Sequence, residues 1–360
     1  MKKTKIRSLQ ALRFYACAVI YIYHAKIDFL GPNAYLVCSN AVILFFILAG
    51  FVSALSRWES YPTPSTKDCV RLLKTRLSAP YLLHLFMLVA VMLVKLFQEI
   101  HGFAAGWNVT WKMVFTNLTL TQSWIPPYFC LNGAAWFLSD MAFFYLLTPL
   151  LLWLLNKIAS PLALFVLALL SCEVQPAVTA AVSSLLPQVE TYAFPPCNLP
   201  LYFAGLCLGG CYRLAAQKPS FTDRRVWRAC GSLAGIVLFV ICFHATDIIP
   251  APALAHRTVL CALLIFALAQ ECSPVHTLIG NPLFVHLGNI SMEIYLTHLV
   301  GIWSVDAILE YLWKHGIYLY PLRKWGRLFA VLLMAELAHR LLPKLLHPKE
   351  KKPTSSKAAG

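Results

Sequence analysis

The feature that most constrains the fold of this chain is a succession of apolar segments separated by short polar stretches. A transmembrane helix needs about 20 consecutive, mostly apolar residues. The segments that approach this length are 8–26, 35–55, 79–97, 132–155, 158–172, 197–215, 227–246, 253–270, 287–309 and 325–342. We therefore predict an all-α membrane protein, a polytopic bundle of about ten transmembrane helices.

Composition supports a bilayer as the surroundings and argues against nucleic acid as a partner. Hydrophobic residues make up 59% of the chain and charged residues only 12%, about half the charged share of a soluble protein. The formal net charge of +15 raises the question of nucleic-acid binding. The charges, however, lie between apolar segments and near the ends of the chain, where membrane proteins carry basic loops.

The distribution of Lys and Arg predicts the orientation. With the N-terminus in the cytoplasm, most basic residues fall on the cytoplasmic side, as membrane proteins prefer. The main clusters are 2–7, 57–76, 213–228 and 340–357. We therefore expect both termini in the cytoplasm, with a membrane domain over residues 1–342. The Lys-, Pro- and Ser-rich residues 343–360 are expected to form a basic, disordered tail.

The twelve cysteines do not suggest a metal site. Most lie within the predicted spans, without metal-ligand spacing, and we expect free thiols and no metal. Cys172 and Cys197 flank a predicted outer loop over 173–196. Whether these two pair is left open at this stage.

The first predicted span carries a pair of ionisable side chains, Arg13 and His24. Eleven residues are about three helical turns, so both fall on nearly the same face, about 16 Å apart along the axis. A charge within the bilayer is costly and often functional. One face therefore offers a fixed cation near the inner end and a titratable base near the outer end. The structural alternative is that Arg13 snorkels and His24 contacts a headgroup or carbonyl.

Other polar side chains occur in later spans and in one basic segment. Asp140 stands in an otherwise apolar span and needs a partner from another helix. Arg71, Lys74 and Arg76 form a predicted basic patch, which suits phosphate groups. Topology and contact with anionic headgroups also explain such a patch, and charge alone favours this explanation. For Asp140, and for the Ser291, Tyr295 and His298 group, a structural polar contact is the alternative to chemistry.

Several motifs together resemble a known family. They are Leu9–Arg13 followed by ten residues and His24; Phe45–Phe51; the basic residues 71–76 before Pro80; Trp136–Asp140 with Phe144, Tyr145 and Pro149; and Ser291 through Tyr295 to His298. In this order they resemble the membrane-bound acyltransferase-3 family of polytopic, acyl-CoA-dependent O-acyltransferases. The chain departs from the family pattern at Ala49, where Ser is usual, at Leu77, where Arg is usual, and at Asp140, where Glu is usual.

The resemblance implies an enzyme that transfers an acyl group, commonly acetyl, from cytoplasmic acyl-CoA to a hydroxyl. The implied acceptor is a cell-envelope glycan or its lipid-linked precursor, and the implied location is the bacterial cytoplasmic membrane. Acyl-CoA would be a donor substrate and no cofactor would stay bound. The chain resembles the stand-alone members, which have no esterase-like domain.

The same resemblance assigns roles to individual residues. His24 would be the general base or an acyl relay, and Arg13 would bind the donor or stabilise developing negative charge. Asp140 would orient His24 or a substrate hydroxyl. The basic residues Arg71, Lys74 and Arg76 would hold the CoA phosphates. The remaining expected substrate-binding residues are Trp136, Ser291, Tyr295 and His298.

A second function class fits the same ionisable residues. Buried Arg, His, Asp and Glu side chains also occur in proton-coupled transporters or flippases of anionic or glycolipid substrates. Such carriers are commonly built from internal repeats with paired broken helices. The sequence shows neither feature, which favours the acyltransferase.

Overall fold

The computed structural model describes residues 6–103, 109–126, 130–217, 225–244, 256–270 and 279–346. Within these ranges the regular structure is helical. The helices are α1 (Arg7–His24), α2 (Ala34–Arg57), α3 (Thr66–Ile100), α4 (Trp111–Leu118), α5 (Trp136–Leu155), α6 (Pro161–Leu185), α7 (Pro195–Ala216), α8 (Arg225–Phe243), α9 (Arg257–Leu268), α10 (Pro282–Asn289), α11 (Ser291–Lys314) and α12 (Arg323–Leu346), with a 3-10 turn at Tyr320–Leu322.

The described part of the chain contains six helices long and apolar enough to cross a bilayer, namely α2, α3, α5, α6, α7 and α11. The chain is therefore a multi-pass helical membrane protein, as predicted. The larger number of about ten spans and the cytoplasmic position of both termini stay predictions. Of the predicted tail, residues 343–346 belong to α12 and the rest lies outside the described residues.

Exposed apolar stripes show which helix surfaces face lipid. On α6 the side chains of Leu162, Val166, Leu170 and Val174 are all exposed. Their spacing of four residues places them on one helical face. Only 22% of the apolar window of α6 and 28% of that of α3 is buried, against 78% for α2. Helix α2 therefore lies inside the bundle, whereas α3 and α6 lie at its periphery.

Helix α6 corrects one sequence prediction. The fifth span was expected to end at residue 172, with an outer loop over 173–196, but the helix continues to Leu185. The three alanines that follow Pro176 in α6 favour helix, and the Gln175 side chain donates to Thr179 Oγ1 at 3.1 Å. Cys172 and Cys197 therefore lie within helices, and both thiols are free.

The ninth predicted span is interrupted. Helix α10 ends at Asn289, and α11 begins at Ser291 after the non-helical residue Ile290. A Cβ atom on Gly288 would collide with the backbone carbonyl of Gln10, so a glycine is needed where α10 packs on α1. Gly288 thus lets α10 lie close to α1, and the interruption makes Ser291 the first residue of α11.

Helices α2 and α7 pack with their backbones in contact. A Cβ atom on Gly205 of α7 would overlap the carbonyl oxygen of Ile47, and one on Gly50 of α2 would overlap that of Tyr202. Small residues permit this close approach in membrane bundles. The contact fixes the position of α2, whose opposite residues line the cavities described below.

Replacing Gly205 with alanine is expected to destabilise the fold by about 1–3 kcal/mol, because neither backbone can move away easily. The matched control is Gly326→Ala, where the new Cβ would meet only a Val305 methyl at 3.4 Å. This control should be neutral or slightly stabilising, since alanine favours helix over glycine. Thermal unfolding in detergent measures both, and equal midpoints for the two variants would contradict the prediction.

Candidate active site

Helix α1 carries the two ionisable residues that the sequence singled out. Its buried stripe includes Leu9, Leu12 and Ala16, which hold the helix against its neighbours. Arg13 and His24 instead line two different cavities. We name these the inner cavity, at Arg13, and the outer cavity, at His24, following the orientation predicted from the charges.

The outer cavity has a volume of about 350 Å³. Residues of α1, α2, α5 and α11, of the segment just before α5 and of the segment between α6 and α7 form its walls. The lining residues are Ile20, Tyr23, His24, Tyr35, Cys38, Ser39, Val42, Cys130, Gly133, Ala134, Trp136, Glu190, Tyr192, Ala193, Tyr295 and His298. The cavity thus gathers His24 with three of the residues expected to bind substrate, Trp136, Tyr295 and His298.

Two histidines face each other in the outer cavity. The ring centroids of His24 and His298 are 5.2 Å apart, with the planes tilted by 46°. His24 is exposed, and no hydrogen bond to a described residue holds its ring. His298 is only 2% exposed, and its Nδ1 lies 2.6 Å from the Tyr295 carbonyl oxygen. The pair combines a free imidazole with one that is fixed in place.

Asp140 has a different partner from the expected one. The carboxylate is fully buried, and its Oδ2 accepts a hydrogen bond from Asn198 Nδ2 at 2.9 Å. Asn198 Nδ2 also donates to the Tyr192 carbonyl oxygen at 3.0 Å. Asp140 makes no hydrogen bond to His24, so it does not orient that ring directly. It instead holds the segment that carries Tyr192.

Tyr192 forms part of the outer wall of the cavity, between α6 and α7. Its ring lies 4.8 Å from that of Trp136. Burial raises the pKa of the Tyr192 phenol, because the charged form would lose its hydration. The phenol is therefore a neutral hydrogen-bonding group at physiological pH.

The inner cavity is smaller, about 100 Å³, and cationic. Its polar lining residues are Arg13 from α1, Arg76 from α3, Tyr145 and Ser53. The other lining residues are apolar: Phe45, Leu48, Ala49, Val52, Phe137, Met141 and Met292. Two guanidinium groups in a mostly apolar space form a site suited to an anionic or strongly polar ligand group.

Arg76 connects the inner cavity with an open hollow of about 460 Å³. The hollow is lined by Ser56, Arg57, Ser60, Thr75 and Arg76. Arg76 Nη2 donates to Ser56 Oγ at 3.1 Å, which directs the guanidinium between the two spaces. Arg57 was not among the residues predicted from the sequence.

The three basic residues of α3 do not form one patch. Lys74 and Arg76 lie about 200° apart around a continuous helix, so they face opposite sides. Lys74 lines an apolar groove between α3 and α5, and Arg71 is an exposed residue paired with Asp68. Among the three, Arg76 is the residue that lines the inner cavity.

An aromatic constriction, defined here as Phe45, Phe137 and Tyr295, separates the two cavities. The three ring centroids are 5.5 to 6.1 Å apart. A void of about 10 Å³ remains beside them, lined also by Ser291 and Met292. That volume is about the smallest that holds one water molecule. Ser291 Oγ is buried there and makes no hydrogen bond to a described residue.

A charged clamp holds the outer end of α1. Arg327 of α12 donates to the Asp306 carboxylate of α11 and, through Nη1, to the Ala25 carbonyl oxygen at 2.8 Å. Ala25 directly follows His24 and caps the helix. A cation at a helix C-terminus is favourable because it meets the unpaired carbonyl groups. The clamp therefore positions the backbone beside His24.

Replacing Arg327 with methionine is expected to lower the free energy of unfolding by about 1.5–3 kcal/mol, the usual worth of hydrogen bonds to a charged group. The matched control is Arg323→Met, because Arg323 contacts the same carboxylate but is 42% exposed, against 7% for Arg327. Thermal unfolding in detergent should show the larger loss for Arg327. A larger loss for Arg323 would contradict this role for the clamp.

Comparison with known protein families identifies the chain. A family model described as an acyltransferase domain, that of the acyltransferase-3 family, matches residues 6–335. The chain belongs to the acyltransferase-3 family. No curated protein and no solved structure matches it.

Membership of the acyltransferase-3 family makes the chain an acyltransferase. The matched residues extend from the start of α1 into α12 and include every side chain of the two cavities. In the described ranges, no group of three or more His, Cys, Asp or Glu side chains has an arrangement suited to a metal ion. The two cavities offer His, Arg and Tyr side chains for acyl-transfer chemistry.

Proposed function

We propose that this acyltransferase moves an acetyl group from cytoplasmic acetyl-CoA to a hydroxyl of a cell-envelope glycan or its lipid-linked precursor, in the bacterial cytoplasmic membrane. The observation that carries the proposal is the arrangement of two unlike cavities along α1. One contains Arg13 and Arg76, the other contains His24 and His298, and only the aromatic constriction separates them.

The inner cavity suits the donor. CoA carries several phosphate charges and a long, flexible pantetheine arm that ends in the thioester. Arg76 and Arg57 border the open hollow, where phosphate oxygens would accept hydrogen bonds from guanidinium groups. Arg13 lies deeper, where it would bind a polar group of the arm or the thioester oxygen. Passage of the arm toward His24 requires Phe45, Phe137 and Tyr295 to rotate apart.

The outer cavity suits a hydroxylated acceptor. Trp136, Tyr192 and Tyr35 present flat apolar faces with polar edges, and Glu190 adds hydrogen-bond acceptors. A sugar ring offers matching surfaces, because it has apolar C–H faces and hydroxyl edges. These groups would hold an acceptor hydroxyl near His24.

The reaction balances with His24 as the base. The acceptor O–H proton moves to a neutral nitrogen of His24 while the oxygen attacks the acyl carbon. The carbon–sulfur bond then breaks, the electron pair leaves with sulfur, and His24 returns the proton to give free CoA thiol. Positive charge from Arg13 would favour the negative charge that develops on the thioester oxygen.

Sealed membrane vesicles of both orientations test the proposal. Acetyl-CoA labelled in its acetyl group is expected to label envelope glycan or lipid when supplied to inverted vesicles, whose cytoplasmic face is accessible. It should give no label with sealed right-side-out vesicles until detergent opens them. Equal labelling from both sides would contradict a cytoplasmic donor site, and failure to label any hydroxyl with the acetyl group would contradict the proposed acceptor chemistry.

A further inference from the structure

The second histidine of the outer cavity has a fixed protonation pattern. His298 Nδ1 lies 2.6 Å from the Tyr295 carbonyl oxygen, which can only accept a hydrogen bond. Nδ1 must therefore carry the hydrogen, and in the neutral ring the lone pair lies on Nε2. His298 thus presents a hydrogen-bond acceptor at a defined position on α11.

That acceptor is buried and unpaired. The side chain is 2% exposed, and Nε2 makes no hydrogen bond to any described residue. A buried acceptor without a donor is costly, and an exception of this kind calls for an explanation. Two rings contact His298: that of Tyr295, one turn earlier on the same helix, and that of His24 from α1.

His24 is placed to supply the missing donor. A ring nitrogen lies a little over 1 Å from its centroid, so an N–H···N hydrogen bond of about 2.9 Å joins imidazole centroids about 5 Å apart. The observed separation is 5.2 Å. Catalytic hydrogen bonds are often poorly aligned before substrate binds. His24 is exposed and makes no hydrogen bond to a described residue, and its other ring contact is with the adjacent Tyr23. Rotation of its ring toward His298 Nε2 would complete the bond.

We propose that His298 is the positioning residue of His24: it accepts the N–H of one His24 nitrogen and thereby directs the other, with its lone pair, at the acceptor hydroxyl. This inference rests on the proposed function, because it concerns the base of that reaction. The bond also stabilises the positive charge that His24 gains when it takes the proton, as an orienting acceptor does in other base-catalysed transfers.

Three substitutions separate this role from a structural one. His298→Asn keeps an amide donor for the Tyr295 carbonyl but has no acceptor at the position of Nε2. His298→Gln places an amide oxygen near that position, where it can accept from His24. His298→Leu removes both. The acceptor role predicts that the His298→Asn and His298→Leu variants have a kcat for acetyl transfer about 100-fold below that of the unaltered chain. The kcat of the His298→Gln variant should stay within about tenfold of it. The KM for acetyl-CoA should not change, because His298 lies outside the inner cavity.

A double substitution gives the sharpest test. If His298 acts through His24, adding His298→Asn to His24→Ala should lower the residual rate no further. The proposal would be overturned by any of three results: full activity of the His298→Asn variant, equal losses of rate in the Asn and Gln variants, or an additional loss of rate in the double variant. Should the Asn variant unfold, the Leu and Gln variants decide: lost transfer in folded Leu variant with transfer retained in Gln supports the role, and equal rates in the two contradict it. The unaltered chain is assayed in parallel. If it transfers no acetyl group, the proposed function is overturned together with the role of His298. If it transfers acetyl and the His298→Asn variant is fully active, only the role of His298 is overturned.

Discussion

Replacing His24 with alanine is expected to lower the rate of acetyl transfer by at least about 100-fold, the lower end of what a general base contributes. The imidazole is an exposed titratable group of the outer cavity, as the Glu190 carboxylate is, and it lies beside His298. Alanine removes the only proton acceptor that this step uses in the proposed reaction. His24→Gln should be similarly inactive, because an amide has a similar polarity but does not take up a proton near pH 7.

The matched control for His24 is His315→Ala. His315 is also exposed at the end of a helix, where its Nδ1 lies 2.8 Å from the Tyr311 carbonyl oxygen, but it lines neither cavity. Labelled acetyl transfer in membranes, normalised to the amount of folded protein in each preparation, measures all three variants. A His24→Ala rate within a factor of a few of that of His315→Ala would refute the assignment of His24 as the base.

Replacing Arg13 with glutamine is expected to lower kcat/KM for acetyl-CoA by about 10- to 150-fold, which corresponds to the loss of one charged hydrogen bond worth about 1.5–3 kcal/mol. Arg13 and Arg76 are the cationic side chains that line the inner cavity. Arg13→Lys should recover part of the loss, because lysine keeps the charge but lacks the planar fork of donors.

The kinetic pattern of Arg13→Gln separates its two possible roles. A raised KM with unchanged kcat would mean that Arg13 binds the donor equally in the ground and transition states, whereas a lowered kcat would mean that it stabilises charge developing at the thioester. Arg340→Gln is the matched control, since Arg340 is an exposed arginine paired with Glu336 on α12. Indistinguishable kinetics for the Arg13 and Arg340 variants would exclude Arg13 from the site.

Local sequence was sufficient to predict the membrane class and the contents of α1. Helical periodicity alone relates Arg13 to His24, since both belong to one continuous helix. The end of α6 and the interruption at Ile290 were not predicted. A proline does not end a membrane helix whose freed backbone groups are satisfied by neighbours. The close approach of Gly288 to Gln10, next to the interruption, joins parts of the chain that are distant in sequence.

Contacts between side chains on different helices could not be predicted from the sequence. Asp140 was expected to orient His24 or a substrate hydroxyl, and in the structure it accepts a hydrogen bond from Asn198. A lone carboxylate does not specify which distant amide it will contact. His298 lies far from His24 along the chain, so their juxtaposition depends on how α11 packs against α1. The division of Lys74 and Arg76 between two surfaces was foreseeable from the 200° of helix between them, but only once α3 was known to be continuous there.

The aromatic constriction has a consequence for the energy metabolism of the cell. On the proposed route an acyl group passes from one side of the membrane to the other, yet the void beside Phe45, Phe137 and Tyr295 is no larger than about one water molecule. A chain of waters able to conduct protons does not fit in that space. While these three rings stay packed, the bundle would thus keep ions and protons on their own sides, and the electrochemical gradient would be preserved between reaction cycles.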